Sequence, residues 1–301
     1  MVRCWLPKWN MPSCTTCSLL IIAALQWHLI LGIEFQMNIS IVVISLNEAD
    51  RIGHLLSHSS FADEVIVVDS GSTDQTVSLC ESAGARVIHR PWAGYAEQKQ
   101  FALEQATGQW ILNLDADEYV PNALAEEIQM AIAQAPPSVV AFSMPRLSYY
   151  LGRWIKHGGW YPDRKVRLVR SGAGKWVGDG IHERLAVDGH VQALESPFHH
   201  RVYRNITDHV NTANQFSDVY ARHRGGAGAL FLLGGIPHTL GKFLECYLWK
   251  KGFLDGWPGL IIAMVSSGYV FLKHAKAWEA GQSFAPIDHP SALPPNRPPP
   301  G

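Results

Sequence analysis

The sequence predicts an α/β protein built on a sheet of parallel strands, and three observations predict it. Short apolar runs alternate with helical segments from residue 38 onward, three of these runs lead directly into acidic or amide side chains, and charge divides sharply along the chain. The runs Ile39–Ser45, Glu64–Asp69, Arg86–Ile88 and Trp110–Leu114 read as buried strands. Helical character begins near Glu48, Thr73 and Tyr95, with Ser72 or Thr73 as the N-cap before Asp74 and Thr76. Strands and helices in this rhythm imply a sheet covered on both faces, with ligands at the carboxyl ends of its strands.

The flanking segments read differently. Residues 1–36 carry Arg3, Lys8 and an apolar stretch from Leu19 to Ile33 broken by Gln26 and His28, which reads as an N-terminal extension outside a fold that opens at Met37, with a signal peptide or membrane anchor as the alternative. After Ala135-Pro136-Pro137 the chain becomes rich in Trp, Tyr, Gly and Arg through about Arg204, the signature of irregular strands and loops, and residues 206–224 turn helical again. Residues 37–224 thus form one domain, with halves at 37–140 and 141–224. Residues 225–285 hold apolar runs punctuated by Gly225-Gly226, Gly234-Gly235 and Gly256-Trp257-Pro258-Gly259, beside Lys242, Lys250, Lys251, Lys273 and Lys276. That pattern fits amphipathic helices at a membrane interface, or helices packed on the core or in a homo-oligomer. The Pro-rich tail 286–301 reads as disordered.

Composition narrows the function. The 301 residues have a net charge of −1, are 47% hydrophobic and only 17% charged. Near-neutrality speaks against nucleic acid as a partner. It conceals a division: residues 37–140 carry 4 basic and 14 acidic side chains, net −10, whereas residues 141–301 carry 19 and 11, net +8. Five cysteines, three of them at Cys4, Cys14 and Cys17, give the main body no disulfide framework and fit a reducing cytoplasm.

The most informative pattern is Asp115-Ala116-Asp117 directly after the strand ending at Leu114. Two carboxylates at one strand end repel each other unless a hard cation or hydrogen-bond donors compensate, and Mg²⁺ or Mn²⁺ completed by diphosphate oxygens would do so. A solvated acidic turn is the alternative. Asp69, in Val67-Val68-Asp69-Ser70-Gly71-Ser72-Thr73-Asp74, and Asn47-Glu48 deliver polar groups to the same sheet edge from the first two strands. Asp74 reads as a helix cap.

Taken in order, Ile41-Val42-Val43-Ile44-Ser45-Leu46-Asn47-Glu48, the Asp69–Asp74 turn and Leu114-Asp115-Ala116-Asp117-Glu118 resemble the family 2 glycosyltransferases of GT-A fold. Trp160-Tyr161-Pro162-Asp163, Arg167-Leu168-Val169-Arg170, His182-Glu183 and Gly252-Phe253-Leu254-Asp255-Gly256 resemble the subgroup that adds a hexose or heptose to the lipopolysaccharide inner core. The resemblance implies a Rossmann-like mixed sheet flanked by helices, a donor-binding half at 37–140 and an acceptor half at 141–224. It implies a nucleotide-diphospho-sugar contacted by Asn47, Glu48, Asp69 and Asp115, with Asp117 and Asp115 on Mg²⁺ or Mn²⁺ and Lys99 neutralising phosphate, or lying as a surface lysine. It also implies inversion at the anomeric carbon.

A base must take the proton of the attacking hydroxyl. The Trp176–Arg184 segment offers Glu183, chosen ahead of Asp179, with His182 helping to hold metal or diphosphate and Asp163 as the outside candidate. Arg146, Arg153, Lys156, Arg164, Lys165, Arg167, Arg170 and Lys175, interleaved with Trp154, Trp160, Tyr161 and Trp176, suit an anionic lipid-linked saccharide acceptor. The enzyme would then lie peripherally on the inner face of the cytoplasmic membrane. Transfer to polyprenyl phosphate and a non-catalytic nucleotide-sugar-binding role are the alternatives.

Overall fold

The computed structural model describes residues 38–178 and 183–282. The extension 1–36, Asp179, His182 and the tail 286–301 lie outside the described residues. The alternation read from the sequence is present: β1 (Ile39–Ser45), α1 (Ile52–Ser57), β2 (Glu64–Asp69), α2 (Thr76–Ser82), β3 (Arg86–His89), α3 (Tyr95–Glu104) and β4 (Trp110–Asp115) follow one another. β1 pairs in parallel with both β2 and β4, and β2 in parallel with β3. The strand order therefore reverses beside β1, which opens a crevice at the carboxyl ends of β1 and β4. Register then aligns the polar ends, with Ser45 opposite Asp69 and Ile44 opposite Asp115.

Continuous β-branched runs drive these strands into the interior. Val42, Ile66, Val68 and Ile111 pack with Ala102 and Leu103 of α3 on one face of the sheet, together with Ala141, Val169, Trp176 and Leu185. Each fully buried aliphatic side chain contributes on the order of 1.5–3 kcal/mol relative to exposure.

The second half is more regular than its composition suggests. A twelve-residue strand, β6 (Val139–Tyr150), runs antiparallel to β8 (Asp163–Arg170), and β8 runs antiparallel to β4, so the sheet is mixed. The remaining strands are β5 (Glu118–Tyr119), β7 (Arg153–Ile155), the antiparallel pair β9 (Gly174–Val177) and β10 (Arg184–Val187), β11 (His190–Ala193) and β12 (Phe198–His200). The helix α4 (Asn122–Gln134) lies between β5 and β6. The mixed α/β sheet flanked by helices is the architecture that the resemblance implies.

The predicted helix over 206–224 is α5 (Ile206–Arg224), capped by the Asn205 side chain, which accepts from the Asp208 N–H, and ended by Arg222, His223 and Arg224 against the helix dipole. Then come α6 (Ala229–Leu244), a π turn at Glu245–Trp249, a 3₁₀ turn at Gly252–Asp255 and α7 (Gly256–Glu279). Gly234-Gly235, read as punctuation, lies inside α6; a Cβ on Gly235 would meet the His274 Cβ at 2.7 Å, so glycine permits the close approach of α6 and α7. Gly256-Trp257-Pro258-Gly259 opens a 24-residue helix, because proline in a first turn loses no intrahelical bond. No helix among the described residues is long and apolar enough to cross a membrane.

Tyr150 and Ile155 pack on Ile262 of α7, and the buried carboxylate of Asp255 accepts from the His157 backbone N–H (2.8 Å) and lies 3.0 Å from His157 Nδ1. These contacts tie the C-terminal helices to the β6–β7 hairpin.

The proposed N-cap at Ser72 or Thr73 is corrected: the cap position of α2 is Gln75. The hydroxyl of Ser72 and the N–H of Thr73 are drawn to Asp69 and Asn47 instead.

Candidate active site

The β1 and β2 ends are laced together before any ligand arrives. Asn47, in the left-handed conformation at φ 55°, donates its N–H to Ser72 Oγ (2.9 Å) and accepts the Thr73 N–H on Oδ1 (2.8 Å). Glu48 and Ala49 donate their N–H groups to Thr76 Oγ1 and Asp74 Oδ2. Asp69 is 0% exposed and accepts from the Gly71 and Ser72 N–H groups and from the Ser45 and Ser72 hydroxyls. Burial works against its charged form, but these donors outweigh burial and hold its carboxyl below the usual range. Asn47 and Asp69 are thus brought together as the brace of the loops. Asp74 also accepts the Thr76 N–H, from one residue before the Gln75 cap position of α2.

At the end of β4 the charges are densest. Lys99 of α3 is 7% exposed, not a surface residue, and its Nζ lies 2.7 Å from Asp115 Oδ1 and 3.1 Å from Glu183 Oε1. Arg167 of β8 places Nη2 2.8 Å from Asp115 Oδ2 and 2.6 Å from Oε1 of Glu118, which is 0% exposed. Glu118 Oε2 accepts the Asp115 N–H (3.1 Å). Burial disfavours the Asp115 carboxylate, yet Lys99 and Arg167 outweigh it and hold its pKa far below the usual range. Burial likewise disfavours the Lys99 ammonium, and Asp115 reverses that effect. Glu118 goes the other way, its carboxyl raised by burial. Two sequence readings change here: Arg167 is a buried clamp on the acidic motif rather than an acceptor-binding residue, and Lys99 joins Asp115 to Glu183.

Asp117 turns into the cleft. Its Oδ2 accepts from Arg51 Nη1 (2.9 Å) and lies 3.4 Å from His200 Nε2. The short β5–β12 pairing causes this approach, since it sets His200 opposite Glu118 and leads the Arg201 N–H to the Asp117 carbonyl (2.9 Å). Glu48 lies 3.4 Å from both Arg51 and Arg204, yet burial outweighs the arginines and pushes its carboxyl up to about 7.

Glu48, Asp115, Asp117, Glu183 and His200 line one cleft of about 680 Å³, with Trp92 and Tyr95 at 4.7 Å edge-to-face. Asp163 does not line it; it pairs with Arg146 (2.6 Å) and Lys165 (3.0 Å). Sequence reasoning missed Arg51, Glu118 and His200. Glu118 adjoins the acidic motif and was visible there, whereas His200 lies 83 residues beyond Asp117 and only the β5–β12 pairing joins them.

The family described as Glycosyl transferase family 2 matches residues 40–185. The lipopolysaccharide core biosynthesis glycosyltransferase LpsC of Rhizobium meliloti (strain 1021) is 30% identical over 257 residues, covering 80% of this chain and 94% of its own. This chain belongs to the family 2 glycosyltransferases. An uncharacterized glycosyltransferase of Rickettsia bellii (strain RML369-C) is 50% identical over 260 residues, covering 80% of this chain and 86% of its own. In this family 2 glycosyltransferase the acidic motif, the mixed GT-A sheet and the flanking helices converge on one cleft.

Removing one partner of a buried ion cluster leaves uncompensated charge. Arg167→Met is therefore expected to lower the unfolding free energy by about 3–5 kcal/mol in urea titrations. The raised Glu48 carboxyl gives a pH signature. Its native state holds a proton that the unfolded chain has lost between the ordinary value of 4.5 and about 7. That stabilisation is complete below 4.5 and disappears as pH rises through about 7. The Tm of the wild type minus that of Glu48→Gln should fall from about pH 5 to 8 in calorimetry, and a flat difference would remove Glu48 as its source.

Proposed function

We propose that this glycosyltransferase moves a hexose or heptose, with inversion, from a nucleotide-diphospho-sugar to a lipopolysaccharide-core or other lipid-linked glycan. The convergence of Asp115, Asp117, His200 and Glu183 on one cleft carries the reading. The Trp92–Tyr95 pair offers aromatic faces at that cleft, and Glu48 a polar group, for the nucleoside. Asn47 and Asp69 serve the nucleoside by holding the loops around it.

The donor set fits a divalent cation. Among the described residues no group of three or more His, Cys, Asp or Glu could enclose an ion. Asp117 and His200 would instead hold Mg²⁺ or Mn²⁺ on one side, leaving positions for diphosphate oxygens. When bound, the cation offsets the charge of the departing diphosphate. Asp115, whose oxygens are held by Lys99 and Arg167, would contact the ribose or the cation.

Glu183 takes the proton from the acceptor hydroxyl as its oxygen bonds to the anomeric carbon, and the bond from that carbon to the diphosphate breaks on the opposite side. Lys99, bonded to Glu183, positions the carboxylate.

In this reading the enzyme works peripherally at the inner face of the cytoplasmic membrane. Leu230 of α6 is 86% exposed, Trp249 88% and Trp257 78%, and Leu233, Ile236 and Leu240 continue the apolar face. Lys250 and Lys251 adjoin Trp249, so aromatic and aliphatic groups sit beside cations as an anionic bilayer surface requires.

Among nucleotide-linked hexoses and heptoses screened by thermal shift with Mn²⁺, the tightest ligand should bind Asp117→Asn about tenfold or more weakly by calorimetry. Unchanged affinity would sink the metal role. Glu183→Gln should bind that ligand normally but transfer sugar about 10²–10⁴ times more slowly. Wild-type protein that binds it with metal yet turns over on no lipid or core acceptor would favour the binding-protein reading. In vesicle flotation, the chain should float with phosphatidylglycerol-containing vesicles more than with pure phosphatidylcholine, and Trp249→Ser/Trp257→Ser should reduce partitioning about tenfold or more.

A further inference from the structure

A second cavity, of about 620 Å³, adjoins the donor cleft, and His200 and Phe216 line both. Its inner side comes from the sheet and the loops beside it, through Arg146, Trp160, Asp163 and Tyr203. Its outer side comes from the C-terminal helices, through Lys242 of α6 and Tyr269 and Lys273 of α7. The helices that carry the exposed apolar face therefore also wall a chamber opening toward the site of chemistry.

The charge of this chamber is unbalanced. Arg146, Lys242 and Lys273 line it against the acids Asp163 and Glu245. Both acids are shared with a further cation, Asp163 with Lys165 at 3.0 Å and Glu245 with Lys250. Lys242 lies 3.1 Å from Glu245, but Lys273 has no carboxylate within ion-pair distance among the described residues. Its ammonium sits instead over the rings of Tyr220 and Tyr269, at 4.9 and 4.8 Å. Burial, and then the Lys242 charge, lower the pKa of Lys273, as two ammonium groups near one cavity must. The excess positive charge of the lining favours entry of an anion, which the tyrosine rings alone do not neutralise. Trp160, Tyr203 and Tyr269 supply flat apolar faces of the kind that pack on sugar rings.

We propose that this chamber is the acceptor subsite, and that it selects a sugar carrying its own carboxylate or phosphate. The negative group lies between Lys242 and Lys273, the ring packs on Trp160 and Tyr203, and the attacking hydroxyl passes His200 into the donor cleft. Arg153, Lys156, Arg164, Arg170 and Lys175 do not line the chamber. Arg170 is stacked on Trp110 at 4.4 Å, and Arg164 is held by the Leu194 carbonyl and Glu195. The assignment rests on the transferase reading.

The test titrates the full chain by ligand-observed NMR with glucuronate, glucose 6-phosphate, methyl glucoside and inorganic phosphate. One or both anionic sugars should bind about tenfold or more tightly than methyl glucoside, the stronger arm identifying carboxylate or phosphate as the recognised group. Lys242→Gln/Lys273→Gln should erase that preference while the affinity for the nucleotide-sugar, measured with Mn²⁺ by calorimetry, stays within about twofold. Where the double variant fails to fold, Lys273→Gln alone should reduce the preference. Equal binding of charged and neutral sugars, a preference that survives Lys273→Gln, or inorganic phosphate binding as well as glucose 6-phosphate would each overturn the subsite. Failure of the wild type to bind any nucleotide-sugar would overturn the transferase reading instead, and leave the anionic-sugar preference measurable on its own.

Discussion

The buried guanidinium of Arg167 joins what the rest of the site depends on. It bridges Asp115 and Glu118 from a strand that runs antiparallel to the one bearing the acidic motif. Without it, two carboxylates three residues apart would face a low-dielectric interior together, and the turn between β4 and β5 would lose its cross-brace. Lys99 supplies the second counter-charge from α3 and extends the cluster to Glu183, immediately before β10. One ionic assembly thus ties β4, β5, β8, α3 and Glu183 around the cleft.

That arrangement divides the labour of the acidic residues. Asp69 and Asp74 are consumed by N–H and hydroxyl donors of their own loops and set loop shape. Asp115 and Glu118 are neutralised by fixed cations. Asp117, beside Arg51 and His200, is the carboxylate of the motif turned to the cleft with an imidazole beside it. The strongly acidic first half is therefore not a diffuse field: much of its charge is locally compensated, partly by basic residues that arrive from the second half.

The C-terminal helices extend the same logic outward. Asp255 and the Tyr150–Ile262 contact fasten them to the β6–β7 hairpin. Their apolar residues remain exposed on one side while Lys242 and Lys273 line a chamber on the other. Under the proposed function, a segment with those two faces would connect a bilayer surface to the reaction site.

Local pattern determined the strand-helix alternation from β1 to β4, though not β5 or α4 that follow it. Period, apolar runs and turn chemistry marked β1, β2 and β4 and the helix over 206–224, because those elements are dictated by neighbours in sequence. The acidic motif was legible for the same reason; the rhythm alone implied parallel strands, and the mixed sheet followed only from the family resemblance that the motifs carry. Tertiary structure alone decided that Arg167 and Lys99 serve Asp115 and that His200 meets Asp117. It also decided that β6 is one long strand and that glycine pairs lie within or open helices. Each of those outcomes depends on which segments become neighbours in space, and charge pairing, close helix approach and strand register across 39 to 83 residues leave no local periodicity to read.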